Sequence, residues 1–161
     1  MNTNHFYVTL FSNASRKIYG KDNKLSAFTV KLAQPIDLGS HKNWEVGVCE
    51  ISCPPPVVGT GLPLTTIGET HSLVYCNVIS PQFIGDDLVR CLRSFIFPTT
   101  HCHHVFDKNF YVPIEKQRFQ KIRIEVLTLE GKRVNFRDSK IPIKVVLHFR
   151  KNFPMVIYYK Y

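Results

Sequence analysis

The stretch Phe119-Gln120-Lys121-Ile122-Arg123-Ile124-Glu125-Val126-Leu127-Thr128-Leu129 decides the fold class. Ile122, Ile124 and Val126 point one way, and Arg123 and Glu125 the other. A period of two predicts a strand with one buried and one wet face. Glu130-Gly131 follows as a hairpin signal, and Lys132 to Phe136 is expected to return antiparallel. Downstream, Ile143, Val145, Leu147 and Phe149 form a second inward row, with Lys144, His148 and Arg150 outside. Upstream the same period recurs in Phe6, Val8 and Leu10, in Phe28, Val30 and Leu32, in Trp44, Val46 and Val48 (Glu45 and Gly47 opposite), and in Val74, Cys76 and Val78.

Breakers separate these runs. Ser12 to Ser26 is polar, with Gly20, Asp22 and Asn23 as turn formers. Pro35 and Gly39 end the second strand, and Pro81 ends the run from Leu73 to Ile79. Cys53-Pro54-Pro55-Pro56 is a rigid extended element, and Val57 to Thr70, with three glycines, reads as a long loop. Residues 99–109 are polar and His-rich and read as a loop, and Phe110 to Ile114 as a short strand. One short helix is expected from Leu88, Cys91, Leu92 and Phe95, at helical spacing behind an Asp86 N-cap, with a strand over Cys91 to Phe97 as the competing reading. Eight or nine short strands and one short helix argue an all-β antiparallel sandwich.

The composition agrees. The 161 residues are 44% hydrophobic, 20% charged and 12% aromatic, which is globular. A chain of this length buries roughly 70% of its unfolded surface and folds without metal or disulfide staples. One domain over 1–161 is expected, with 1–4 and 152–161 as flexible or arm-like ends. No run reaches the ~18 apolar residues of a membrane span, and the first residues show no secretory signal pattern. Production in the cytosol is expected, with the nucleus a further station. Five cysteines (49, 53, 76, 91, 102) are odd in number and irregular in spacing, which suits free buried thiols in a reducing compartment. Cys102 and His104 can share a strand face, but a zinc site needs two more ligands.

Net charge is +9 and lopsided. From Glu115 onward there are twelve Lys and Arg against four acids, and before it nine against eight. Lys116, Arg118, Lys121, Arg123, Lys132, Arg133, Lys144 and Arg150 are therefore the candidate polyanion-contacting residues. The plainer alternative is that they are the wet faces of strands. Tyr158, Tyr159, Lys160 and Tyr161 form a tail suited to base stacking or to packing on a neighbouring strand or copy.

Catalytic patterns are missing. There is no Walker-type loop, no Gly-x-Ser-x-Gly elbow and no His-Glu-x-x-His. Asp86-Asp87 is read as helix N-terminal charge rather than a metal pair, and His148 as a paired strand histidine.

Taken in order, several pieces carry a resemblance: Phe6-Tyr7-Val8-Thr9-Leu10-Phe11-Ser12-Asn13-Ala14-Ser15, Leu25 to Leu32, Trp44-Glu45-Val46-Gly47-Val48-Cys49-Glu50-Ile51, Val74 to Asp86, Gly131 to Phe136, and Val145 to Arg150. The series resembles the minor capsid (penton-like) protein of Polinton/Maverick elements and adintoviruses over about Phe6 to Arg150. The resemblance implies a single jelly roll of two four-stranded sheets. It implies five copies at an icosahedral vertex of a virion, beside a double-jelly-roll major capsid protein. The family offers no catalytic residue to carry over, and no cofactor or metal site is assigned from the residues. The basic third would face packaged DNA, or acidic loops of the major capsid protein. Loops Ser12–Ser26, Pro54–Thr70 and Thr99–Asn109 are candidates for ring contacts or the outer vertex surface. Two other classes fit the residues: a nucleic-acid-binding β-domain, and a lectin-like sandwich whose sheet face would carry Tyr7, Tyr75 and Tyr111.

Overall fold

A computed structural model describes residues 4–40, 43–57, 70–97, 102–136 and 140–152. The chain runs β1 (His5–Phe11), α1 (Arg16–Tyr19), a 3-10 turn (Gly20–Asp22), β2 (Ala27–Asp37), β3 (Trp44–Cys53) and β4 (Thr70–Cys76). It continues through β5 (Gln82–Ile84), β6 (Asp87–Val89), β7 (Cys91–Phe97), β8 (Cys102–Val105), β9 (Val112–Pro113), β10 (Arg118–Thr128) and β11 (Lys144–Lys151).

Two antiparallel sheets form. The first has the order β1-β11-β3-β8, and β9 joins β3 on the same side as β8, further along the strand. It is therefore four columns wide. The second has the order β2-β10-β4-β7. Leaving aside the small hairpin β5-β6 and the two-residue β9, the eight principal strands alternate between the layers. Only the step from β4 to β7 stays in one sheet. That pairing of first with eighth and third with sixth, against second with seventh and fourth with fifth, is a jelly roll.

The inward rows read from the sequence make the core. Ile122, Ile124, Val126, Ile143, Val145, Leu147 and Phe149 are all fully buried. Phe149 stacks on Phe6 of its own sheet at 4.8 Å and meets Phe119 of the other sheet at 6.0 Å. Leu10, Phe28, Val46, Val48 and Val74 close the same cluster.

Register shifts bend the strands. Val146 pairs with Glu50 but Leu147 with Val48, so Cys49 is an extra residue on β3. The buried row therefore switches from Val46 and Val48 to Ile51 and Cys53. On β2, Lys31 faces Lys121 and Ile36 faces Phe119, leaving residues 32–35 bulged out against Gln120. Pro35 therefore does not end β2 as the sequence suggested; it rides in a bulge that asks for no ladder donor. Part of this edge is capped: Asn23 Oδ1 accepts the Thr29 N–H at 2.8 Å, and Ser15 Oγ accepts that of Lys31 at 2.9 Å.

The expected helix is a correction. Asp86 is no N-cap, because Gly85, at φ +64°, turns β5 into β6 there. Residues 91–97 pair with β4 instead. Val74 faces Arg93 and Tyr75 faces Cys91, so Leu92 is bulged. Cys91 and Leu92 are then both buried although adjacent, and this mimics helical spacing. Leu88, the first residue of the supposed stripe, is exposed. The short helix lies within the polar stretch Ser12 to Ser26 instead. Residues 102–105, read as loop, form edge strand β8, whose polar outward residues hid it. The return after Gly131 is a brief one: Thr128 donates to the Lys132 carbonyl at 2.7 Å and Leu127 bridges Arg133. Residues 58–69 of the long loop, and the tail with Tyr158, Tyr159, Lys160 and Tyr161, lie outside the described residues.

Phe149→Ala removes a ring from between the layers and should lower the unfolding free energy by about 3–5 kcal/mol. Thr9→Ala, on the wet face of a strand paired with the same β11, should cost less than about 1 kcal/mol. Urea titration of both variants checks this; a small loss at Phe149 would contradict the packing described.

Candidate interaction surfaces

Three features of the outer surface carry the polar residues of interest. The first is built on Gly47, which sits opposite His148 on the wet face of the first sheet. A Cβ at Gly47 would lie 2.6 Å from the Phe110 carbonyl oxygen, so only glycine lets residues 106–111 cross β3 this closely. Tyr111 then lies over the strand and reaches His148 Nδ1 at 2.7 Å. Asn109 Nδ2 donates to the Tyr111 oxygen at 3.4 Å. The second ring nitrogen of His148, Nε2, is buried with no hydrogen-bond partner among the described residues. Tyr7 stacks on a face of the imidazole at 4.4 Å. The Arg150 guanidinium lies 3.5 Å over the Tyr111 ring, while its Nε donates to Glu45 Oε1 at 2.5 Å. Asn152 Nδ2 completes the carboxylate at 3.3 Å. Both ring nitrogens of His148 are therefore enclosed. The cluster clamps a crossing segment to the sheet and offers no free base to a substrate.

The eight basic residues picked from the sequence are not gathered on one face. Lys144 and Arg150 lie on the first sheet, and Arg118, Lys121 and Arg123 on the second. Arg123 and Arg133 share Glu125, at 2.8 and 3.4 Å. Lys144 pairs with Glu50, which His103 also reaches at 2.9 Å, and the Glu50 carboxyl is held below its ordinary range chiefly by the Lys144 bond. Lys116, Arg118, Lys121 and Lys132 make no ion pair among the described residues. Sequence counting missed a basic recess of about 260 Å³ at one end of the sandwich. Its cations, Arg16, Lys24 and Lys140, come from distant parts of the chain.

The aromatic face imagined for a lectin-like sandwich is split. Tyr7 and Tyr111 meet through His148, but Tyr75 belongs to β4 in the opposite sheet. Cys102 faces Cys53 across β3 and β8, while His104, two residues on, is exposed beside Phe106. Burial pushes both thiols up, Cys53 furthest, so they pack as neutral side chains. Among the described residues no helix is long and apolar enough to cross a membrane.

Burial, with His5 and Arg150 nearby, holds the His148 pKa below its ordinary value of 6.5. As pH falls through that value the unfolded chain takes the proton first, so folded stability drops. Thermal unfolding should show Tm falling between pH 7.5 and 5.5. The fall should be shallower in His148→Gln; equal slopes in the two proteins would contradict the enclosed imidazole.

Comparison with known proteins returned no matching family model and no matching curated protein. A solved structure does match: the crystal structure of the mavirus penton protein, with a TM-score of 0.63 over 92% of this chain and 100% of that one, at 7% identity. At that identity the likeness is one of fold. This chain has the single jelly-roll architecture that the mavirus penton protein has.

Proposed function

We propose that this chain is a structural capsid subunit: a penton-like protein that closes as five copies around the five-fold vertices of an icosahedral particle. The observation that carries the reading is the complete strand order of the jelly roll, which runs in parallel with the whole length of the mavirus penton chain. The Polinton/Maverick and adintovirus type of particle is part of the same reading, as is a double-jelly-roll major capsid protein as the neighbour. Manufacture in the host cytosol, with assembly there or in the nucleus, follows from it.

Physical grounds support a structural task. A five-fold ring needs a heterologous interface, one flank of each copy meeting a different flank of the next. The two layers share one core, which makes a stiff body with fixed angles between its flanks. The most prominent histidine is used as a strut. The role proposed is non-catalytic and needs no cofactor.

Light scattering over a range of concentrations tests the ring. The expected mass is five times 18.6 kDa, with five-fold particles in micrographs. A chain that stays monomeric both alone and mixed with a double-jelly-roll major capsid protein overturns the reading.

A DNA-facing role is a second part of the proposal. It is supported by Lys116, Arg118, Lys121 and Lys132, which form no ion pair among the described residues. Four phosphate contacts would give a log–log salt slope near −3.6 on duplex DNA, by roughly −0.9 per contact. Fluorescence anisotropy should show this slope without sequence preference. No binding at low salt removes DNA as a partner and leaves acidic loops of the major capsid protein as the counterpart.

A further inference from the structure

The hairpin β5-β6 leaves the body of the sandwich between β4 and β7. Its cross-strand pair is Phe83 with Leu88, followed by Ile84 with Asp87. Phe83 is 75% exposed and Leu88 59%. Two large apolar side chains facing each other on this ribbon serve no core, whereas Gln82 and Ile84, on its other face, line a recess with Leu92, Phe110 and Tyr111. Residues 81–89 contain Asp86 and Asp87 and no cation. Neither aspartate makes an ion pair among the described residues.

The opposite problem stands at the other edge of the same sheet. Lys31 on β2 and Lys121 on β10 are direct cross-strand partners, and both are exposed. Like charges opposite one another weaken a sheet unless counter-charge is brought to them. Arg118 adds a third cation, beside Asp37. Ala33 and Pro35, in the β2 bulge, give this edge exposed apolar atoms. The strand order β2-β10-β4-β7 puts β7, into which the hairpin leads, and this basic edge on opposite flanks, roughly 14 Å apart at about 4.8 Å per strand step. Both belong to the same end of the wedge, where β4 ends and β10 begins.

We infer that the hairpin is the arm by which one copy grips the next. Phe83 and Leu88 lie on the β2 bulge of the neighbouring copy, and Asp86, at the tip of the turn, sits against its Lys31 and Lys121. The occupant is a second copy of this chain because the acidic apolar knob and the basic apolar strip are complementary surfaces on one molecule. Their placement on opposite flanks makes the contact heterologous, so it repeats around an axis rather than ending in a two-fold pair. The inference rests on the ring reading and assigns its interface.

Light scattering on the full chain tests it, with circular dichroism to confirm folding. Phe83→Ser with Leu88→Ser removes exposed groups only, so the protein should fold yet dissociate at least about tenfold more readily. Asp86→Lys should do the same, as should Lys31→Asp with Lys121→Asp. All three charge changes in one chain should restore the ring. A pentamer indifferent to the folded Phe83/Leu88 and charge variants overturns this interface and leaves the ring reading standing. Damaging charge variants on the two sides that fail to rescue each other also overturn it. A wild-type chain that stays monomeric, alone and beside the major capsid protein, removes both readings together.

Discussion

The structure depends on the contact between β10 and β11 through the core. Each is an interior strand of its own sheet, and each contributes an unbroken row of fully buried residues: Ile122, Ile124 and Val126 in one layer, Val145, Leu147 and Phe149 in the other. Phe149 reaches across to Phe119 and along its own sheet to Phe6. Burial of such side chains stabilises by about 1.5–3 kcal/mol each, and the alternation of the strands turns their intervening residues outward. The surface chemistry is thus a consequence of the core. Lys121, Arg123, Lys144, His148 and Arg150 are exposed or half-buried because Ile122, Ile124, Val145, Leu147 and Phe149 are inside.

Much of this was legible in the residues. The inward rows Ile122-Ile124-Val126 of β10 and Ile143-Val145-Leu147-Phe149 leading into and along β11 are buried at every position read, while in β1 and β2 Phe6, Val8 and Leu32 of the expected rows are half-buried. What the alternation could not show was where it shifts phase. Cys49 is an extra residue between two rows of β3, and Leu92 an extra residue at the start of β7. A bulge puts two neighbours on one side, and over a few residues that is indistinguishable from a helical turn. Only the partner strand, under 20 residues away in the chain for β7 and nearly 100 for β3, settles it. β8 was hidden for a different reason. As an edge strand it buries little beyond Cys102, so its sequence looks like a loop.

The site was less legible than the fold. His148, Glu45 and Gly47 were visible as outward residues, but their roles depend on Tyr111 arriving from a crossing segment. The one local signal was the glycine in the middle of an otherwise well-filled strand, which marks a close backbone approach. The basic residues show the reverse failure. Twelve cations in a third of the chain look like a patch when counted along the sequence. Consecutive jelly-roll strands alternate between layers, so a run of sequence charge is divided between two faces that point away from each other. Glu125, Glu50 and Glu45 then neutralise Arg123, Arg133, Lys144 and Arg150 locally.

What remains unneutralised has a direction. Exposed ion pairs contribute little to folding, so nothing in the stability of the monomer demands that Lys31 and Lys121 face each other or that Asp86 and Asp87 extend on a ribbon. Both arrangements weaken an isolated subunit slightly. Both become favourable when a second body supplies the missing sign at a flank, because charge complementarity guides approach and rejects misaligned contacts more than it adds raw affinity. The apolar groups beside the charges supply the burial that holds the contact once made. A jelly roll permits this division of labour. Its core fixes the angle between the flanks, while the β4–β7 connection and the β2 bulge are free to differ without disturbing the rows inside.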